Sequence, residues 1–252
     1  MKKYSIRIVG AVFILAALAL MFLSPWIRFD STSRKEMRSL NSQISVDLNN
    51  IEDTLLEDRD LRADLKDNDL PSSKTQITEQ IRELKTFFKE LLDSEISLQE
   101  LMHISQVMPA YISDAQKFLD TDLAAETVFE NTEQLDYEDA EDIVDTLNSY
   151  RTVFDWLHTL MLCFIVVGIA AAVAHCLNWV RFIKYIFLAM VAALVIALYI
   201  AIPIVSDLMR LETTLTGDAS NLSMSVTAMP IITLALLLVP IVLDIIFERK
   251  HK

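Results

Sequence analysis

Glycine is almost missing from this chain: Gly10, Gly168 and Gly217 are the three among 252 residues. Phosphate-cradling loops, G-x-G-x-x-G dinucleotide turns and EF-hand calcium loops all need glycine where the backbone turns tightly or nears a ligand. None of them can be assembled here. The same scarcity, with only six prolines, argues against a many-turned β fold. Cysteine is scarce as well. Cys163 and Cys176 share one apolar segment and would sit about 20 Å apart on a helix, too far to bridge. They read as small packing residues. Basic residues are thin where acid is concentrated. From Asp30 to Arg151 there are 12 Lys and Arg against 29 Asp and Glu, a net charge of −17. Nucleic acid, whose phosphates need Lys and Arg, is therefore not an expected partner.

What is present is hydrocarbon. The chain is 53% hydrophobic yet carries a net charge of −13. One globular domain does not reconcile those facts, but segregation does. Four stretches reach the roughly 20 apolar residues that cross a bilayer: about Ile8 to Ile27, Trp156 to Leu177, Phe182 to Val205 and Val226 to Phe247. Lys2, Lys3 and Arg7 precede the first, and its apolar run is unbroken from Ile8 to Leu23. That pattern is expected to be an uncleaved signal-anchor rather than a removed signal peptide. Lys2, Lys3 and Arg7, then Arg181 and Lys184, then Arg249, Lys250 and Lys252 fall on one side of a four-span chain. Basic residues favour the cytoplasm. Both termini are thus expected inside and residues 30–151 outside, although Arg28, Arg34, Lys35 and Arg38 follow the first span on the outer side. Trp156 and Trp179 would bracket the second span, about 35 Å apart on a helix.

The expected architecture is all-α. A span at 1–29 leads into an acidic helical domain at 30–151, which forms a bundle or coiled-coil hairpin outside the membrane. Three spans follow at 152–252, about 156–177, 182–205 and 226–247. Within the acidic domain, Ile44, Leu48, Ile51 and Leu55 step by four and three. Pro71 marks a break, with Ser73 and Gln76 as a capping box opening the next helix. Ile77, Ile81, Leu84, Phe88, Leu91, Leu98 and Met102 continue as a heptad interrupted only by Glu95. Pro109 suits the first turn of a third, shorter helix. Finally, Ala140, Ile143, Leu147, Tyr150, Phe154, Leu157, Met161 and Phe164 keep one phase without Gly or Pro. They predict a single helix of about 35–40 residues running into the second span. Pro230 and Pro240 are expected to bend the fourth span, and Pro203 the outer end of the third.

Few residues carry chemistry. Of the four histidines, His251 is in the tail and His175 falls at a membrane edge. The other two belong to carboxylate–His pairs at i, i+3, the spacing used in di-metal helical bundles: Glu100 with His103, and Asp155 with His158. Such a site also needs two further glutamates facing inward from other helices. The second pair starts with Asp and falls at the membrane surface, so neither metal nor cofactor is expected and the pairs are weak metal candidates. Glu133, Asp136, Glu138, Asp139, Glu141, Asp142 and Asp145 concentrate charge. They read as a solvated face with at most weak divalent-cation binding, because the glycine turn of a calcium loop is lacking. The spans are nearly dry, which argues against autonomous transport. Asp244 is the exception, and Arg181 or Lys184 is its expected interhelical partner. Gly168 with Ala172, and Ala189, Ala193, Ala197 and Ala201, recur every four residues, a spacing that lets helices approach closely in lipid.

No catalytic motif emerges, so a non-enzymatic membrane accessory or scaffold protein is expected. Its outer helical domain would engage a protein partner, or the chain would form a homo-oligomer. The alternative is an outer-domain sensor relaying ligand occupancy through the continuous helix, which calls for a polar-lined cavity. A metalloprotein built on the His–carboxylate pairs ranks third.

Overall fold

The structure is a computed structural model, and it describes residues 2–29, 31–91, 95–121, 125, 127–128, 137–177, 182–216 and 224–250. It is nearly all helical, at 87%. The helices are α1 (Lys2–Leu23), α2 (Ser31–Glu57), α3 (Arg59–Asp67), α4 (Lys74–Leu91), α5 (Leu98–Leu119), α6 (Tyr137–Ser149), α7 (Arg151–Leu177), α8 (Ile183–Thr216) and α9 (Met229–Lys250). Three short strands join them: β1 (Pro25–Phe29), β2 (Glu95–Ser97) and β3 (Met224–Val226). The chain divides into two compact units. One, the apolar unit, comprises Met1–Ser33, Ser94–Met102 and Thr159–Lys252; the other, the acidic unit, comprises Arg34–Asp93 and His103–His158.

Four helices are long and apolar enough to cross a bilayer, over Ile6–Leu23, Arg151–Leu177, Ile183–Pro203 and Met229–Ile246. The chain has the form of a multi-pass membrane protein. Only 22–39% of each window is buried within the protein, so most of the apolar side chains face outward, as lipid requires. Inside the apolar unit, α1 packs along α9. Contact there depends on small residues. A Cβ on Gly168 of α7 would lie 2.9 Å from Leu18 of α1 and 3.0 Å from Phe187 of α8. A Cβ on Gly10 of α1 would collide with the imidazole of His175 on α7. Neither site has room for even a methyl group without a shift.

The three strands are a feature that hydrophobic periodicity does not signal. Their order is β2-β1-β3, and both pairings are antiparallel. The expected first span is shortened as a result. It ends at Leu23, and Pro25 to Phe29 turn into the central strand. Trp26 of that strand is fully buried. Val226, expected to open the fourth span, instead closes β3. Thr227 completes the junction: its N–H donates to the Trp26 carbonyl at 2.9 Å and its hydroxyl to the Pro25 carbonyl at 2.6 Å. On the other edge Arg28 and Glu95, opposite one another across the strands, form an exposed ion pair at 2.7 Å.

In the acidic unit the apolar stripes do what their spacing demands. Leu48, Leu55, Leu61, Leu65, Leu70, Ile77, Ile81 and Val128 form one buried cluster. Phe87, Ile104, Met108 and Ile112 form a second, with Leu147 and Phe154 packed against it. Each fully buried Leu, Ile or Phe stabilises by about 1.5–3 kcal/mol. The helix ends are chemically specified. Asp58 caps α3, accepting from the N–H groups of Asp60 and Leu61. The α3 terminus is a Schellman motif: Leu70 N–H donates to Leu65 at 2.9 Å, and Asp69 N–H to Lys66 at 3.2 Å. Asp69, at φ 56°, occupies the left-handed position that glycine usually fills. Pro71 follows, and Ser73 with Gln76 makes the reciprocal capping box that opens α4.

Four expectations need correction. The stripe from Ile77 to Met102 is not one helix. α4 ends at Leu91, and β2 occupies Glu95–Ser97 before α5 begins. Pro109 does not start a helix but lies inside α5. It removes one backbone donor there, and the burial of the adjacent Met108 and of Ile112 in the second cluster offsets the loss. Pro230, expected to bend α9, lies in its first turn, where a missing N–H costs little. The single helix through residue 150 is in fact two. α6 ends at Ser149 and α7 begins at Arg151. The N–H of Tyr150 donates to Leu147 and that of Val153 to Tyr150, tight i to i+3 closures with Tyr150 itself exposed.

Candidate functional site

Charge inside an apolar helix set is costly and rarely idle. Lys184, at the start of α8, has a side chain only 7% exposed and forms an ion pair with Asp244 of α9. Arg181, the other expected partner, lies outside the described residues. The pair gains a third member that its position in the sequence places merely at a membrane edge. His175 of α7 is buried, with Nδ1 3.9 Å from the same Asp244 carboxylate. Its Nε2 has no hydrogen-bond partner and faces Gly10. Three helices thus bring ionisable groups to one point, and the fourth supplies a glycine to make room. The ammonium also lies 5.3 Å from the centre of the Tyr185 ring.

Glu100 and His103 each face a partner other than one another. Glu100 turns back to cap its own helix, accepting from the Ser97 N–H at 2.6 Å and the Ser97 hydroxyl at 2.8 Å. His103 lies 3.7 Å from Glu90 on α4. His158 is half-buried, with Nδ1 unpartnered. Among the described residues, no group of three or more His, Cys, Asp or Glu is arranged to hold a metal. In the acidic stretch, Glu141, Asp142 and Asp145 are exposed. Glu133 and Asp136 lie outside the described residues, as do the side chains of Glu138 and Asp139.

The small-residue stripes divide. Gly168 and Ala172 are buried at helix contacts. Ala189, Ala193, Ala197 and Ala201 are all exposed. The face of α8 that packs within the chain carries Phe187, Val191, Val195 and Ile202 instead. The alanines form the opposite side, exposed among the described residues.

A second feature lies in the acidic unit. A cavity of about 230 Å³ opens between α2, α3, α4 and α5. Leu48, Ile51 and Leu55 come from α2, Leu65 from α3, Ile77, Ile81 and Leu84 from α4, and Ala115 and Phe118 from α5. Gln80, Tyr111 and Asp114 are the polar residues of its lining. Interiors normally pack to crystal density, and this open cavity is a departure from that. It is not the polar-lined pocket that a sensor of polar ligands would show. Negative charge gathers at its Tyr111 side, while the Arg62 guanidinium donates to the carbonyl of Leu55, another lining residue. The Tyr111 phenol is pushed above its ordinary value, chiefly by burial and then by Glu83, Glu90 and Asp114. It stays protonated and sits in negative potential. Tyr111 also meets Phe87 edge-on, with ring centres 5.0 Å apart.

No protein-family model, curated protein or solved structure matches this chain.

Proposed function

We propose that this chain is a non-enzymatic membrane accessory or scaffold protein, with both termini cytoplasmic and residues 30–151 outside, engaging protein partners through its helical domain and its spans. The grouping of Lys2, Lys3 and Arg7 with Lys184 and the basic C-terminal tail supports the orientation. The observation that carries the accessory reading is the bare alanine face of α8. Small residues four apart on an exposed apolar helix suit close approach by a further membrane helix. A homo-oligomer would use the same surface. Cysteine placed at Ala193 or Ala197 in native membranes is expected to crosslink into one discrete larger species, and Ala193→Leu to abolish it. A chain that stays monomeric and uncrosslinked in membranes and in gentle detergent contradicts the proposal.

A second reading is favoured by the cavity: the acidic unit binds a ligand. The relay that the sequence leads one to expect beside it, an unbroken helix into the second span, is interrupted at Tyr150. Ligand binding therefore stands without that route.

A further inference from the structure

The ligand-binding reading can be narrowed by the chemistry of the cavity wall. The wall is aliphatic over most of its extent, with Leu55, Leu65 and Ile81 among the deeply buried residues. Among the described residues no Lys or Arg lines it, and Asp114 is the one acidic residue that does. Glu83 and Glu90 add negative potential at Tyr111 on the same wall. An anion entering here would lose hydration and meet like charge. A neutral hydrocarbon would gain only burial. A cation with a hydrocarbon body would gain burial and a carboxylate partner together. The surrounding residues 30–151, at net −17, bias encounter the same way. An apolar cavity of about 150 Å³ takes benzene, so about 230 Å³ has room for a short alkyl chain or a single ring.

We propose that the cavity between α2, α3, α4 and α5 is a binding site for a small cationic amphiphile, its hydrocarbon body among the leucines and isoleucines and its charge at Asp114. The site rests on the second reading above and is independent of the α8 face.

The test is calorimetric titration of the full chain in lipid nanodiscs with hexylammonium, hexanol and hexanoate, with empty nanodiscs subtracted. Hexylammonium is expected to bind saturably at one site, roughly tenfold tighter than hexanol, with no saturable hexanoate binding. Asp114→Asn is expected to bring hexylammonium down to the affinity of hexanol while leaving hexanol unchanged. Ala115→Phe and, independently, Leu84→Phe are expected to abolish both, at helical content matched to the parent. Hexanoate binding as tightly as hexylammonium, or a cation preference that survives Asp114→Asn, overturns the cationic class while leaving ligand binding intact. Absence of saturable binding by all three probes, or binding that both obstructing variants leave untouched, overturns the site and the ligand-binding reading together.

Discussion

The two units of this protein solve opposite packing problems. In the apolar unit the surface is hydrocarbon, and what is buried includes the unusual residues: two glycines at helix contacts, a histidine, a lysine and a threonine. In the acidic unit the surface is charged, and what is buried is mainly Leu, Ile and Phe, with Ser105 and Thr121 among the few buried polar side chains. In water, burying apolar area drives association. In lipid it does not, because the alternative environment is equally apolar, so close backbone approach and polar pairing must decide the arrangement. The consequence is a difference in tolerance. The apolar unit leaves no room at Gly10 and Gly168, whereas the acidic unit keeps an open cavity of about 230 Å³ between its helices.

The largest effect that would break this contrast concerns the buried ion pair. Asp244→Asn alone is expected to cost about 3–5 kcal/mol, since it leaves the buried Lys184 ammonium unpaired, and Lys184→Met less, since the Asp244 side chain is 34% exposed. The double change Lys184→Met with Asp244→Leu is expected to recover most of it. Thermal unfolding in a fixed detergent measures both. Equal melting for the single and double variants would mean that the charges are not coupled.

A matched pair of size increases sharpens the contrast. Gly168→Ala is expected to destabilise by roughly 1–3 kcal/mol, because Leu18 and Phe187 are already close. Ala115→Phe, a larger increase, is expected to stabilise by about 0.5–2 kcal/mol by filling the cavity. Hydrogen exchange resolved to each unit reads out both. The contrast fails if the two substitutions shift stability in the same direction.

The smallest effect is confined to alkaline pH. The folded state holds the Tyr111 proton above pH 10 when the unfolded chain has begun to release it. The folded state then binds more protons, so stability falls as pH rises from about 10 through the raised value. Tyr111→Phe is expected to flatten that fall, measured by urea unfolding from pH 9 upward. An unchanged alkaline slope in the variant would assign the loss to other groups.

The four apolar helices are legible in the sequence because an apolar run of eighteen or more residues is too long for the interior of a small water-soluble domain and long enough for a bilayer. Ile44 to Leu55 and the Ser73–Gln76 cap are legible because spacing and capping chemistry are local. The failures have physical causes. Three-residue strands such as Glu95–Ser97 have no period to detect, and β1 is specified by partners far along the chain. The Tyr150 turn carries no Gly or Pro, because an i to i+3 closure needs neither. The Lys184–Asp244 pairing can be anticipated because charge is rare in spans. The addition of His175 cannot, because it depends on Gly10, at the other end of the chain. The cavity is invisible for a simpler reason: volume is a property of packed side chains and not of their order.

The small sheet also sets a timetable for biogenesis. β1 is made first, acquires β2 on one edge and must await β3 on the other, and Thr227 is 202 residues removed from Pro25. At ribosomal rates of about 5–20 residues per second that interval is roughly 10–40 s. Throughout it, the central strand has an open edge beside a newly inserted span. Pro25, which offers no N–H, and the charge of Arg28 are the kinds of residue that discourage premature pairing at an open edge. Closure of the sheet therefore waits for β3, the last of the three strands to be made.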